Sequence, residues 1–106
     1  SARALSGDGM ALALSLRCVE RKYLDVDDPS YCQFMLMPMM HSEDIGIQDM
    51  SLPVFEQYTS KLTYDYAVKH RDIIARFGRF PHRNAILGRP SSRDEDQFLT
   101  QPGSSF

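Results

Sequence analysis

The residues best suited to chemistry lie in two short segments. The first, RFGRFPHRNAILGR at positions 76–89, combines four arginines and a histidine with two phenylalanines and has no acidic residue. The second, PMMHSEDIGIQ at positions 38–48, has two carboxylates close behind a histidine. Because a guanidinium group binds a carboxylate through two parallel hydrogen bonds, we expect the segments to contact each other. The candidate ligand-binding residues are His41, Glu43, Asp44, Arg76, Arg79, His82, Arg83, Asn84 and Arg89.

Two hypotheses for this cluster stay open. In the first, ion pairs hold the arginine-rich segment on the third helix, and every donor is satisfied within the protein. In the second, the cluster is a pocket for phosphate or a carboxylate ligand, because two carboxylates neutralise only two of the four guanidinium groups. In such a pocket Arg79, Arg83 and His82 would bind the anion, and Glu43 and His41 would polarise it.

Metal binding and catalysis are weaker interpretations of the same residues. The three histidines of the chain, His41, His70 and His82, could ligate zinc together with Glu43, but their spacing matches no metal signature such as HExxH. We therefore expect no metal and no cofactor. His41 with Glu43 could act as an acid–base pair, yet no nucleophile is identifiable, so the question of an enzyme stays open.

Charge is unevenly distributed along the 106 residues. Positions 69–93 hold seven of the 12 basic residues and one of the 14 acidic residues, although the whole chain carries a net charge of only −2. This basic segment could contact nucleic-acid phosphates, but it has few lysines and is interrupted by Phe and Pro, so we do not expect a nucleic-acid partner. The longest apolar run, FMLMPMM, is far too short to span a membrane.

Composition and cysteine usage bound the class of protein. The chain is 42% hydrophobic and 25% charged, which is typical of globular proteins, and its length allows one domain at most. Cys18 and Cys32 show no CxxC spacing and lie in apolar patterns, so we expect two buried free thiols. Reduced cysteines favour the cytoplasm or another reducing intracellular compartment, such as an organelle interior.

Helices must position the two chemical segments. An apolar stripe predicts a first helix of about four turns, with Asp8 as its N-cap and the acidic run DVDDP as its end. The stripe comprises Leu12, Leu16, Val19 and Tyr23. A second helix is expected to begin with Pro29 and to be stopped or kinked at Pro38.

The third helix carries the acidic segment at its start. Ser42 is the expected N-cap, because Glu43 and Asp44 follow it where the helix dipole favours carboxylates. Pro53 lies inside the pattern and predicts a kink or a restart at Ser51. The methionines at 35, 37, 39 and 40 could form an adaptable docking surface, but core packing is the commoner role.

The fourth helix shows the clearest pattern, and Gly78 fits the residue just past its end. Its predicted buried face comprises Tyr66, His70, Ile73, Ile74 and Phe77. The segment 81–90 is expected to be an ordered loop with a turn or two of helix, and Ser92 with Glu95 forms a capping box for a short helix before a coil tail. No stretch alternates with a period of two, so the sequence predicts an all-α fold with about four main helices and a short C-terminal helix.

Two runs resemble a known family. MPMMHSEDIGIQ (37–48) and RFGRFPHRNAILGRPSSRDEDQFL (76–99) resemble signature stretches of the family catalogued as domain of unknown function 924, and the resemblance extends from about position 8 to 99. It implies a tetratricopeptide-like, antiparallel superhelical array without an established activity. Family members usually carry an earlier half with a tryptophan and a motif like LLDQFPRN, both of which this chain lacks. Pro53, and Ser92 where relatives tend to have Thr, also depart from the family pattern.

The resemblance and the residues together support two functional hypotheses. Because the earlier half is missing, residues 1–106 are interpreted as one domain that is the C-terminal part of a larger helical domain. The leading hypothesis is a helical scaffold that binds a protein partner or the missing N-terminal half of its own domain. The alternative is a pocket for a small anionic ligand, with or without enzymatic activity, built from the HSED and FGRFPHRN motifs.

Overall fold

The chain folds into consecutive helices. The computed structural model describes residues 8–25, 27–102 and 104. In chain order the helices are α1 (Asp8–Glu20), α2 (Pro29–Met40), α3 (Ile45–Tyr58), α4 (Lys61–Phe77), α5 (Asn84–Leu87) and α6 (Arg93–Leu99), with a 3-10 turn (Pro81–Arg83) directly before α5. The described residues contain no β-strand, so the predicted all-α class is confirmed.

The first four helices share the larger hydrophobic core. Its buried members come from the α1–α2 connection and from α2, α3 and α4; they are Leu24, Cys32, Leu36, Met39, Met40, Phe55 and Ala67. Leu12, Leu16 and Val19 of the predicted stripe pack against this cluster from α1. Burial of these apolar side chains supplies most of the stability of the helical packing.

The end of α1 corrects two expectations. Tyr23 is 54% exposed and lies beyond the helix, which stops at Glu20, before the acidic run that was expected to end it. Lys22 has a left-handed backbone with φ of 59°, and its N–H bonds to the carbonyl of Val19 while that of Tyr23 bonds to Cys18. This Schellman motif satisfies the last carbonyl groups and turns the chain away from the stripe. The helix begins with Asp8 itself, the residue predicted to cap it.

Helix α2 continues through its proline. Asp28 caps its start by accepting a hydrogen bond from the N–H of Tyr31, and Pro29 occupies the first turn as predicted. The helix ends at Met40, two residues beyond Pro38, so this proline does not stop it. Because Pro38 lies in the last turn, its missing N–H removes only one backbone hydrogen bond near the end of the helix.

Helix α3 begins two residues later than predicted and is unbroken. Its N-cap is Asp44, whose Oδ1 accepts from the N–H of Ile47, whereas the Ser42 hydroxyl accepts from the N–H of Asp44. The expectation of a Ser42 cap was therefore wrong. The helix runs through Pro53 without restarting at Ser51, whose hydroxyl donates to the carbonyl of Gln48.

Helix α4 and the segments after it match the predictions closely. Ser60 caps the start of α4, and Gly78 follows its end with φ of 73°, the left-handed conformation that favours glycine. On the predicted face His70, Ile73 and Ile74 are buried and Phe77 is half-buried, but Tyr66 is 44% exposed. A second hydrophobic cluster joins α4 to the C-terminal segments; it comprises Ile73, Ile74 and Phe80, with Phe77 and Phe98 packed against them.

The remaining expectations concern α6, the cysteines and the tail. Ser92 and Glu95 form the predicted capping box at the start of α6. Cys18 and Cys32 are both buried and free, and the Cys32 thiol donates to the carbonyl of Leu24. The predicted loose lead-in and the coil tail fall largely outside the described residues. Across the described ranges, no helix combines the length and the apolar character needed to cross a membrane.

Candidate functional site

Glu43 and Arg89 join the two chemical segments. The Arg89 guanidinium donates Nη1 to Oε1 of Glu43 at 2.9 Å and Nη2 to Oε2 at 3.2 Å, the two-bond geometry expected from the sequence. The backbone N–H of Phe80 donates to the same Oε2 at 2.6 Å. Burial alone would raise the pKa of Glu43, but the hydrogen bonds from Arg89 and Phe80 outweigh it and lower that pKa.

Asp44 does not take part in this contact. Its carboxylate caps α3, where it accepts from the N–H of Ile47, and the side chain is exposed. The expectation that both carboxylates meet guanidinium groups of the arginine-rich segment is therefore correct for Glu43 and wrong for Asp44. The difference arises because a carboxylate one residue before a helix is well placed to satisfy the unpaired N–H groups of the first turn.

A second ion pair forms between Arg79 and Glu95. Arg79 donates Nε to Oε2 of Glu95 at 2.9 Å and Nη2 to Oε1 at 2.7 Å, and Nη2 also donates to the carbonyl of Pro90 at 2.8 Å. The hydrogen bonds from Arg79 outweigh burial and lower the pKa of Glu95 to about 2. Sequence reasoning identified Glu95 only as a helix cap; the available signal was its acidic side chain close behind the basic segment.

Asn84 connects the two ion pairs. Its side chain is 2% exposed, and its Oδ1 accepts from Nε of Arg89 at 3.0 Å. Its Nδ2 donates to the Ser91 hydroxyl at 3.0 Å and approaches Oε2 of Glu95 at 3.4 Å. The five residues Glu43, Arg79, Asn84, Arg89 and Glu95 thus form one arginine–glutamate network, which contains four of the nine predicted site residues.

The other two arginines lie over aromatic rings. The Cζ of Arg83 is 5.0 Å from the centroid of the Phe80 ring, and the Cζ of Arg76 is 4.6 Å from that of Phe77 and 5.8 Å from that of Phe98. Phe80 is completely buried and anchors this segment in the second hydrophobic cluster. Arg76 therefore contacts the α4–α6 side of the second cluster, apart from the acidic turn before α3.

The three histidines meet around Phe80. The ring centroids of His41 and His70, of His70 and Phe80, and of Phe80 and His82 are each 5.6 Å apart. Burial lowers the pKa of His70 to about 4 despite a 2.7 Å hydrogen bond from its ring to the carbonyl of Tyr66. Burial and then the charge of Arg83 lower the pKa of His82. His70 is consequently neutral near pH 7.

The described residues include no metal-binding cluster of three or more His, Cys, Asp or Glu side chains. The rings of His41 and His70, and those of His70 and Phe80, meet edge to face, and the His82 ring is tilted against Phe80. Glu43, the fourth residue of the zinc hypothesis, is held by Arg89 and the N–H of Phe80. The observed geometry is a row of edge-to-face and tilted ring contacts beside an ion-pair network.

A groove of about 640 Å³ opens between α1, α2 and the 3-10 turn with α5. Its apolar wall includes Leu14, Phe34, Met35, Met37 and Ile86. Its polar wall consists of His41, His82 and Arg83, three predicted site residues, together with Ser15. Sequence analysis named Met35 and Met37 as part of a docking surface, but it missed Ser15 and the other apolar wall residues, because each of them fits an ordinary helix and only tertiary packing brings α1, α2 and α5 to one place.

Comparisons with known proteins agree with this architecture. A solved structure of a protein of unknown function, ATU0120 from Agrobacterium tumefaciens, is similar with a TM-score of 0.86 and 32% sequence identity. The similarity covers 93% of this chain and 56% of that protein, so this chain spans little more than half of its length. A comparison with curated proteins yields no significant match. The family model described as bacterial protein of unknown function, DUF924, matches residues 1–103, and the chain therefore belongs to this family.

Proposed function

We propose that the protein is a helical binding module and that the groove between α1, α2 and α5 takes an apolar small-molecule ligand. The observation that carries the proposal is the groove itself. Its volume of about 640 Å³ lies within the range of small-molecule sites, and such sites combine apolar walls with a few polar groups. Leu14 and Phe34 on its wall are 57% and 75% exposed, so a ligand that covered them would remove apolar surface from water.

In this proposal the arginine–glutamate network has a structural role. Both of its carboxylates accept hydrogen bonds from protein donors, Glu43 from Arg89 and the Phe80 N–H, and Glu95 from Arg79. These bonds fix the 3-10 turn and α5, which supply His82, Arg83 and Ile86 to the groove. The network thus builds one wall of the binding site, and no step of catalysis is assigned to it.

Fluorescence of N-phenyl-1-naphthylamine, an uncharged apolar dye, tests the groove directly. We expect the dye to bind the wild-type protein with enhanced emission, because apolar side chains line the site. Leu14→Glu should abolish binding by placing a carboxylate on the wall. Met50→Glu is the matched control, since Met50 on α3 is 48% exposed and does not line the groove. Equal dye binding by both variants would contradict the proposal.

A tetratricopeptide-like scaffold for a protein partner is the second candidate. It is favoured by Met10, which is 76% exposed and lies one helical turn before Leu14, so that the apolar surface continues beyond the groove. A partner segment, or further helices of the same domain, would cover this surface. A photo-crosslinking residue at position 10 should then give a discrete adduct in the source cells, and the same residue at position 50 should not.

Two buried free thiols support a reducing compartment, the cytoplasm or an organelle interior, as the place of action. When the source cells are lysed in denaturant that contains an alkylating reagent, Cys18 and Cys32 should both be recovered in the alkylated form. That residues 1–106 form one domain, the later part of a larger one, stays a prediction.

A further inference from the structure

We propose that the groove selects uncharged ligands with a carbonyl group on an apolar body, and that the Ser15 hydroxyl donates a hydrogen bond to the carbonyl oxygen. This inference rests on the proposed function, since it names the class of ligand that the groove takes. Ser15 lines the groove from α1 and is 1% exposed. Its hydroxyl oxygen is buried, and none of the described residues makes a hydrogen bond to it. Because burial of a hydroxyl without a partner is unfavourable, a polar atom of a ligand would supply the partner that this group lacks.

The other polar residues that line the groove already have interactions within the protein. The ring of His41 meets that of a second histidine, and the His82 ring and the Arg83 guanidinium lie against Phe80. We therefore assign the recognition of the polar ligand group to Ser15 and no part of it to these three side chains.

The helical position of Ser15 indicates that the missing partner is a hydrogen-bond acceptor. A serine inside a helix can donate its proton to the backbone carbonyl four residues earlier, which for Ser15 is that of Ala11. The Ser15 hydroxyl makes no such bond, and Ala11 lines the same groove. Rotation about the single χ1 torsion of Ser15 turns the hydroxyl towards an acceptor in the groove. A carbonyl oxygen fits this role, because it accepts a hydrogen bond and has no proton of its own to satisfy.

The depth of Ser15 in the groove favours an uncharged ligand group. Leu14 and Phe34 on the apolar wall are largely exposed, whereas Ser15 is buried, so the hydroxyl belongs to the buried end of the groove. An ionised group at that end would lose its hydration and gain one hydrogen bond from a neutral hydroxyl, which makes its burial unfavourable. The carbonyl of a ketone, ester or amide loses much less hydration. The ligand therefore places its carbonyl at Ser15 and its apolar chain against Leu14 and Phe34.

Displacement of N-phenyl-1-naphthylamine tests the proposal with 2-nonanone and 2-methyl-1-nonene as competitors. The two molecules have the same shape, and a methylene group in the second replaces the carbonyl oxygen of the first. We expect Ser15→Ala to bind 2-nonanone about fivefold more weakly than the wild-type protein does, because one neutral hydrogen bond is lost. Binding of 2-methyl-1-nonene should change by less than about twofold, since it accepts no such bond. Equal changes for the two competitors would overturn the proposal.

A matched serine variant and a stability measurement locate the effect. Ser30→Ala is the control, because Ser30 is exposed on α2 and does not line the groove, and it should bind both competitors as the wild type does. The melting temperature of Ser15→Ala should not fall below that of the wild type, since no hydrogen bond within the protein is removed. A clear decrease would show that the hydroxyl has a partner in the fold and would overturn the proposal.

A charged competitor tests the choice of an uncharged group. Nonanoate should lose less affinity than 2-nonanone in Ser15→Ala, because its head group is not expected at the buried end of the groove. An equal or larger loss for nonanoate would overturn the uncharged class. Absence of dye binding by the wild-type protein would instead refute the proposed function, whereas dye binding with equal changes for 2-nonanone and 2-methyl-1-nonene refutes only this inference.

Discussion

At the scale of single residues, the bond between Arg89 and Glu43 is the contact on which the site depends most. Arg89→Ala would leave the part-buried Glu43 carboxylate with the Phe80 N–H as its remaining hydrogen-bond donor among the described residues. It would also remove the guanidinium bonds to Asn84 and to the Phe80 carbonyl. We expect the free energy of unfolding to fall by about 2–3 kcal/mol, because the remaining carboxylate loses most of the compensation for its burial. Denaturant unfolding measures this loss.

Arg71 provides the control for this substitution. It also donates to two carboxylates, Asp49 and Asp72, but all three side chains are more than a third exposed. Exposed ion pairs contribute little, because water solvates the separated charges nearly as well. Arg71→Ala should therefore reduce stability much less than Arg89→Ala. Similar losses in the two variants would show that burial of the Glu43–Arg89 pair does not determine its contribution.

Asp44 offers a test of the corrected helix start. If its carboxylate acts as the α3 cap, Asp44→Asn should keep nearly full stability, since the asparagine oxygen also accepts from the N–H of Ile47. Asp44→Ala should cost about 1 kcal/mol in the free energy of unfolding. A large loss in Asp44→Asn, measured by thermal or denaturant unfolding, would instead indicate that the negative charge itself is required, as in an ion pair.

At the scale of the elements, two glycines allow the same chemical change to be compared in two backbone conformations. Gly78 has φ of 73°, and a Cβ built on it meets nothing within 4 Å, so the cost of Gly78→Ala is backbone strain alone. We expect a loss of about 1 kcal/mol, and a larger one for Gly78→Val. Gly9 lies in α1 and also has open space, so Gly9→Ala should be neutral or stabilising by up to about 0.5 kcal/mol. If Gly78→Ala and Gly9→Ala change the free energy of unfolding equally, the positive φ at Gly78 does not cause the loss.

Helix boundaries were predictable where local chemistry decides them. Gly78 and the Ser92–Glu95 capping box were identified correctly, because a left-handed glycine and a reciprocal side-chain cap depend on residues within one turn. The end of α1 was missed, because the Schellman motif there uses Lys22, a residue with no intrinsic preference for a positive φ. The expected stop at Pro38 and restart at Ser51 were wrong, since α2 continues to Met40 and α3 runs through Pro53; a kink at either proline stays a prediction.

The candidate site was predictable only where opposite charges mark a contact in the sequence. Opposite charges in two segments indicated the Glu43–Arg89 contact, although these residues are 46 positions apart. The role of Gln48 was not indicated by any pattern: its buried Nε2 lies 2.7 Å from the carbonyl groups of both Met40 and Ser42 and secures the turn that carries Glu43. Contacts between a neutral side chain and distant backbone atoms leave no signature of charge or periodicity in the sequence.

At the scale of the whole molecule, two hydrophobic clusters are joined by polar and aromatic contacts. The larger cluster is formed mainly by α2, α3 and α4, and the smaller one joins α4 to Phe80 and Phe98. The Glu43–Arg89 pair and the edge-to-face contacts of His70 with His41 and Phe80 lie where the turn before α3 meets the 3-10 turn. Protonation of groups at this junction should therefore affect the stability of the whole fold.

Acid should destabilise the protein in two successive pH ranges. His70 has a pKa of about 4 when folded and about 6.5 when unfolded, so the unfolded chain takes up a proton that the folded protein does not. The contribution of His70 to the free energy of unfolding is therefore fully present above pH 6.5. It is lost as the pH decreases to 4, and the loss is about 3 kcal/mol at most. Glu95, with a pKa lowered from 4.5 to about 2, stabilises fully above pH 4.5, and this contribution is lost as the pH falls towards 2.

Two variants separate these ranges in denaturant unfolding at a series of pH values. His70→Gln should reduce the decrease in the free energy of unfolding between pH 6.5 and 4, because glutamine does not titrate, and leave the part that comes from His82, whose pKa is also lowered. It should retain the decrease below pH 4.5. Glu95→Gln should reduce the decrease below pH 4.5 and leave the part that comes from Glu43, whose pKa is also lowered. Its stability near pH 7 should be lower, since it loses the ion pair with Arg79. If the free energy of unfolding of His70→Gln falls between pH 6.5 and 4 as steeply as that of the wild type, another group takes up the proton. Protonation of the buried His70, which lies between His41 and Phe80, would then not be the cause of the acid destabilisation.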